Sequence, residues 1–311
     1  MRDVVIIGGG LSGLAAAREL EKRGIPYRLI EVKKRLGGSI ITHQQQGFTM
    51  DGGPFAFSQA ADWSFLPELG LQDSLCIVHD SHNRDLVAFR EGTQTLVDAF
   101  ARDLKGSILY RMAVSSIGQL DGHFTLCMEN GRMFEAAAII VAAPARFAER
   151  MFHTLVPEFS LPLIDYGYDT ILRASLGYRA EDLPIPPIFP WDVGIPFYYW
   201  TDDSCRAPAG HRLLYVGVRI PPHFADQSAL IDEIHAHIKA TGQPVISQLD
   251  YWPEADPLPP HTAGFADRMK KLEALLPAGV AIAGSDYHGL SLTERIRSGQ
   301  NAARRVAGLF A

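Results

Sequence analysis

Gly8-Gly9-Gly10-Leu11-Ser12-Gly13 is the stretch of this chain whose residue types and spacing most directly imply chemistry. It follows the β-branched run Val4-Val5-Ile6-Ile7 and opens a helical pattern through Leu14, Ala17, Leu20 and Arg23. Gly8 permits a tight turn, Gly10 lets a diphosphate approach the backbone, and Gly13 lets the helix pack on the strand. The helix start, with Leu11 and Ser12 in its first turn, offers N–H groups and a partial positive charge to phosphate. Beyond Gly24, a second strand, Tyr27-Arg28-Leu29-Ile30, closes on Glu31, whose carboxylate can accept hydrogen bonds from ribose hydroxyls. The whole reads as a dinucleotide-binding unit.

Four further side chains are candidates for chemistry. Arg173 lies in Thr170-Ile171-Leu172-Arg173-Ala174. A guanidinium keeps its proton, so Arg173 is either a fixed cation and carboxylate clamp or a solvated residue on an edge strand. Tyr198 and Trp200 share one face of a strand and serve either as aromatic walls for an amine or flat ring, or as core. His288 brings an imidazole, the side-chain type suited to proton transfer, and is either a catalytic group or a solvated loop residue. No Ser/His/Asp nucleophile pattern and no second GxGxxG stands out.

Those residues need a scaffold, and the composition supplies one. The 311 residues, 47% apolar and 21% charged, suit a globular chain of one large or two modest domains. A net charge of −6 leaves no basic excess for nucleic acid. Cys76, Cys127 and Cys205 stand apart, with no CxxC and no Cys/His cluster, so neither a disulfide framework nor a metal site is expected. No signal peptide or membrane span is legible, which points to a cytoplasmic protein. A helix is expected over 91–101 and strands over 108–117, 124–128 and 139–142. Further strands are expected over 170–178, 197–200 and 213–218, with an amphipathic helix over 229–240.

Three stretches carry a family resemblance. Glu31-Val32-Lys33-Lys34-Arg35-Leu36-Gly37-Gly38-Ser39 resembles the extended signature of the flavin amine oxidase and protoporphyrinogen oxidase superfamily. Gly47-Phe48-Thr49-Met50-Asp51-Gly52-Gly53-Pro54-Phe55 is similar to its GF-x-x-D-x-GP stretch. Val280-Ala281-Ile282-Ala283-Gly284-Ser285-Asp286-Tyr287-His288-Gly289, with the helix after it, resembles the closing FAD motif. The resemblance implies an α/β fold: a Rossmann-like FAD-binding domain with a parallel sheet, and a smaller antiparallel-sheet substrate domain. The FAD-binding parts would be residues 1–60, 91–145 and 263–311, the substrate domain 146–262, and a shortened insertion 61–90.

By the same resemblance FAD is bound non-covalently. Val32, Arg35, Gly37, Gly38 and Ser39 follow the diphosphate and ribityl chain, and Gly52, Gly53, Pro54 and Phe55 lie near the isoalloxazine. Val114 meets adenine through its backbone, and Trp252 packs near the flavin edge. Gly284 with Ser285 or Asp286 holds the ribityl or phosphate, and the Leu292 N–H, with Thr293 beside it, faces flavin O2. Arg173 stands where many members keep a lysine near N5. The chain lacks a helical insertion between Asp73 and Glu91, so the flavin face is expected to be open, or covered by a partner or a second copy. The implied reaction is hydride transfer from a small amine, reduced ring or dihydronicotinamide-like molecule to flavin N5, with O2 as acceptor. A flavin-dependent isomerase or mutase without net redox, and a non-catalytic FAD-binding subunit, are the alternatives.

Overall fold

The structure is a computed structural model that describes residues 3–80, 82, 84–183, 197–201, 205–219, 227–258 and 263–310. The prolines at 184, 186, 187 and 190 lie outside the described residues. Contacts divide the chain into two units, the first built from Met1–Gly38, Val97–Gly167 and Pro257–Ala311, the second from Ser39–Leu96 and Tyr168–Asp256. Residues 39–60, expected with the first FAD-binding segment, therefore fall in the second unit.

In the first unit, five parallel strands run in the order Val280–Ile282, Ala138–Val141, Val4–Ile7, Tyr27–Glu31, Ser107–Tyr110. Val4–Ile7 is central and buried at every residue, which is why it reads as an unbroken β-branched run rather than an alternation. The helices Leu11–Lys22 and Leu292–Ala307 pack together through Gly299, where a Cβ would stand 2.0 Å from the Ser12 carbonyl oxygen. An antiparallel sheet of Val114–Leu120, His123–Met128 and Met133–Ala136 adds a second layer of strands. The strand expected over 108–117 is thus two strands in two sheets. They part at Arg111, whose φ of 56° and N–H bond to the Lys33 carbonyl turn the chain out of the parallel ladder.

The second unit holds a six-stranded sheet, ordered Ile246–Leu258, Gly167–Arg179, His211–Arg219, Phe197–Trp200, Leu75–Asp80, Asp85–Phe89. Its described registers are antiparallel. The long strand Ile246–Leu258 was not anticipated, because Pro253 interrupts its pattern; it lies at the sheet edge, where a missing N–H is tolerated. Within the stretch 61–90, expected as a shortened insertion, Leu75–Asp80 and Asp85–Phe89 pair antiparallel and extend this sheet. The helix Gln227–His237 packs Leu230 and Ile234 on Leu172, Leu176 and Val216.

Two expectations change here. Trp200 is 1% exposed within that core, so it packs the sheet and cannot wall a substrate. Tyr198 belongs to the strand Phe197–Trp200, and its side chain lies outside the described residues. The cysteines are not all isolated, since Cys76 and Cys205 are disulfide-bonded with Cα atoms 6.1 Å apart and a sequence separation of 129. The pairing depends on sheet order, which no Cys spacing encodes. Closing so long a loop restricts the unfolded chain, and reduction or Cys205→Ser is expected to cost about 2–5 kcal/mol. Urea unfolding with and without reductant measures this, and an unchanged midpoint would show the bond to be absent in solution.

Candidate cofactor site

In the first unit the glycine turn is built as its sequence requires. Gly8 has φ 107°, and its N–H donates to the Ile30 carbonyl at 2.8 Å. A Cβ on Gly13 would come within 1.9 Å of the Gly8 oxygen, so helix and turn touch backbone to backbone. Gly10 differs: a Cβ there would meet only the Gly38 Cα at 3.9 Å, which leaves open space in front of it. The helix Leu11–Lys22 starts from Gly10 with no side-chain cap and no acid in its first turn. An uncapped helix start behind an open glycine is a cradle of the size and charge a diphosphate needs.

Glu31 does more than meet a ribose. It is 4% exposed; its Oε2 accepts from the Gly9 N–H at 2.6 Å and its Oε1 from the Lys33 N–H at 2.7 Å. The carboxylate thereby ties the turn to the strap that follows, and each oxygen keeps a lone pair for a hydroxyl. Gly37 donates its N–H to the Gly9 carbonyl at 2.8 Å, and Arg35 Nη2 reaches the Gly38 carbonyl at 2.9 Å. Val32 is largely exposed, and Val114 is buried among Ile117, Met128 and Val141.

After the edge strand Val280–Ile282, Gly284 has φ 134° and gives its N–H to Ser298 Oγ at 2.9 Å. Asp286 is buried and spends its Oδ2 on the Ala145 N–H at 2.8 Å, and its Oδ1 accepts from the Ser285 hydroxyl at 3.3 Å. Leu292 and Thr293 open the final helix, capped by Ser291 and Glu294 in a reciprocal pair. The Glu294 carboxylate offsets part of the positive helix end, a charge the sequence reading had left out. His288 is not a free loop histidine, since its ring is held between Glu273 and Ser298.

The second unit gathers Gly52, Gly53, Pro54, Phe55, Arg173 and Trp252. Arg173 donates to the Gly53 carbonyl and Trp252 Nε1 to the Gly52 carbonyl. A Cβ on Gly52 would stand 2.4 Å from Asp250 Cγ, and one on Gly53 2.0 Å from the Ser39 carbonyl oxygen. Arg173 is half-buried, its guanidinium 5.4 Å over the Phe55 ring, so the solvated edge reading does not hold. Phe55 stacks on Tyr215 at 3.9 Å. Beneath them Asp51 and Arg206, both fully buried side chains, form an ion pair at 2.7 Å. Asp51 also accepts from Thr93 and Thr42. Burial pushes the Tyr215 hydroxyl far above the ordinary phenol range, which keeps it a neutral donor to the Thr49 carbonyl. Asp51, Arg206 and Asp250 were missed as site residues. Asp51 sits inside the GF-x-x-D-x-GP stretch and was the one visible signal. Among the described residues, no group of three or more His, Cys, Asp or Glu could hold a metal. No described helix is long and apolar enough to cross a membrane.

A Rossmann-type nucleotide unit with these closing elements defines a flavoprotein class, and comparison with known proteins agrees. The family described as flavin containing amine oxidoreductase matches residues 69–307, and the NAD(P)-binding Rossmann-like domain matches residues 6–68. The chain belongs to the flavin containing amine oxidoreductase family, and FAD is the cofactor that membership brings. Coproporphyrinogen III oxidase of Bacillus subtilis (strain 168) is 25% identical over 232 residues, 68% of this chain and 48% of its own length. Protoporphyrinogen oxidase 2, chloroplastic/mitochondrial, of Arabidopsis thaliana is 24% identical over 196 residues, 62% and 36% of the two chains. The chain thus spans about half or less of the curated relatives it matches. A solved structure from Exiguobacterium sp. 255-15, carrying a protoporphyrinogen oxidase designation, superposes with a TM-score of 0.83 at 16% identity over 98% of each chain, a likeness of fold.

Proposed function

We propose that this chain is a FAD-dependent oxidoreductase that takes hydride from a small amine, a reduced ring or a dihydronicotinamide-like molecule, with O2 as acceptor. The observation that carries the reading is the open, uncapped glycine cradle at Gly10, in a chain whose family is defined by its flavin. FAD supplies the hydride-accepting N5 when bound. The protein's part is to hold, orient and exclude water. In the first unit Gly8, Gly10, Leu11, Ser12 and Gly13 would receive the diphosphate and Glu31 the ribose. Val32, Arg35, Gly37 and Gly38 would flank the same chain, with Val114 at adenine. Gly284 and Ser285 would hold the ribityl end, and the Leu292 and Thr293 N–H groups would face the pyrimidine edge.

In the second unit Ser39 and the strip from Gly52 to Phe55 would lie along a flat ring, as the resemblance implies, with the Cβ side of both glycines packed against Asp250 and Ser39. Arg173 and Trp252 fix the two carbonyls of that strip, and Arg173 also contributes a cation that acid–base chemistry cannot remove. A bound anion or carboxylate would be met there by charge, not by proton transfer. Binding is non-covalent in this reading.

Purified protein should be yellow, and anaerobic addition of amines, porphyrinogens or reduced nicotinamides should bleach it with one of them. If the bound flavin resists the whole panel, the oxidoreductase reading fails.

A further inference from the structure

Three side chains behind the Gly284 turn form a continuous chain of hydrogen bonds. The Gly284 N–H donates to Ser298 Oγ at 2.9 Å; Ser298 Oγ lies 2.7 Å from His288 Nδ1; His288 Nε2 lies 2.5 Å from Glu273 Oε1. Donor counting orders the protons. Ser298 accepts from Gly284, so its own proton goes to Nδ1, and the remaining ring proton on Nε2 goes to the Glu273 carboxylate. Every member is then satisfied with the imidazole neutral. The ring faces a cavity of about 410 Å³ lined also by Glu273, Glu294, Arg297, Asn301 and Arg305, which gives water access to it.

The backbone explains why such a chain is needed. At φ 134° and ψ 175°, Gly284 occupies a conformation closed to other residues. Its N–H meets the chain through a side chain fourteen residues downstream, on the helix Leu292–Ala307. Glu273 ends the helix Phe265–Glu273, so the three residues tie one strained turn to two helices.

We infer that Glu273, His288 and Ser298 are positioning residues that hold the Gly284–Ser285 turn in the shape FAD requires, an inference that rests on the proposed assignment of that turn to the ribityl end. None of the three touches the cofactor in this reading. Each acts through the Gly284 amide. The charged groups around the ring are Glu273 from one helix and Glu294, Arg297 and Arg305 from the other, while Asp286 on its own turn faces the Ala145 N–H.

The test uses the FAD-loaded protein. Release of FAD after dilution is followed by flavin fluorescence, and hydrogen exchange is read on the peptide containing Gly284. Ser298→Ala should release FAD about tenfold faster or more, with His288→Gln and Glu273→Gln intermediate, on the scale of lost outer-shell support at other sites. Ser298→Thr, which keeps the hydroxyl, should restore slow release. Exchange at Gly284 should accelerate in Ser298→Ala with or without FAD. If that exchange accelerates while FAD release stays within about twofold of wild type, on a scale where tenfold is 1.4 kcal/mol, the chain is structural only and the inference is overturned. A wild type that never holds FAD would instead overturn the cofactor assignment, and this inference with it.

Discussion

Gly13→Ala yields a protein that folds less stably by about 3 kcal/mol or more and fails to retain FAD. The added methyl would sit 1.9 Å from the Gly8 oxygen and 3.1 Å from the Gly8 carbonyl carbon. Both are backbone atoms, so no rotamer change relieves the clash. Nor can Gly8 retreat: its N–H is bonded to Ile30, and its own Cα faces the Ala142 carbonyl. The helix must therefore lift from the turn, and the cradle opens with it. Gly24→Ala is the control, because nothing lies within 4 Å of a Cβ there and the cost is the positive φ of 65° alone, about 1 kcal/mol. Thermal unfolding and FAD titration of the two variants separate the effects. A Gly13→Ala protein that takes up FAD as wild type does would show that the diphosphate lies elsewhere.

Asp51→Ala is expected to lose about 3–5 kcal/mol, as large an effect as any single change outside the glycine turn. The substitution strands Arg206, whose side chain is fully buried and whose Nε and Nη1 find no acceptor among the described residues. The guanidinium rests on ring faces, 5.8 Å from the centre of Phe55 and 5.7 Å from that of Tyr215, which cannot replace a carboxylate. Asp51→Asn should cost less, since the Thr93 and Thr42 donors keep an acceptor. The double variant Asp51→Leu/Arg206→Met should recover much of the loss, because removing both charges leaves neither unpaired. Urea midpoints for the three proteins decide the matter: a double variant no better than Asp51→Ala would mean that packing, not charge, holds this site. Since Asp51 precedes Gly52 directly, the same variants should also disturb the strip that Arg173 and Trp252 hold.

What could be read from sequence follows from range. The Gly8 to Gly13 turn, the buried strand before it, Glu31 and the Val280 strand with its helix are set by residues within about thirty positions of one another, where glycine spacing and β-branched runs carry the information. Cys76 with Cys205, Asp51 with Arg206 and Trp252 with Gly52 are each joined across more than a hundred residues. Only the strand order of the six-stranded sheet brings them together, and that order has no local signature. Trp200 illustrates the same limit. Alternation along its strand shows which residues share a face, yet not which face meets the Gln227–His237 helix. Arg173 could be placed on a strand, but its bond to Gly53 required knowing that the strip runs beneath it. His288 misled for another reason: a loop histidine looks unattached until the helix turn bearing Ser298 and the end bearing Glu273 are both in place.

The nucleotide sheet also constrains how the polypeptide can mature during synthesis. Its edge strand Val280–Ile282 is made long after Ala138–Val141, with which it must pair, and after Val4–Ile7 on that strand's other side. Until then the small-residue face of the Leu11–Lys22 helix lacks the surface that Gly299 brings to Ser12. A nascent chain halted before residue 280 should thus remain sensitive to protease and attract chaperones, and the nucleotide fold should close only once that strand is free to pair.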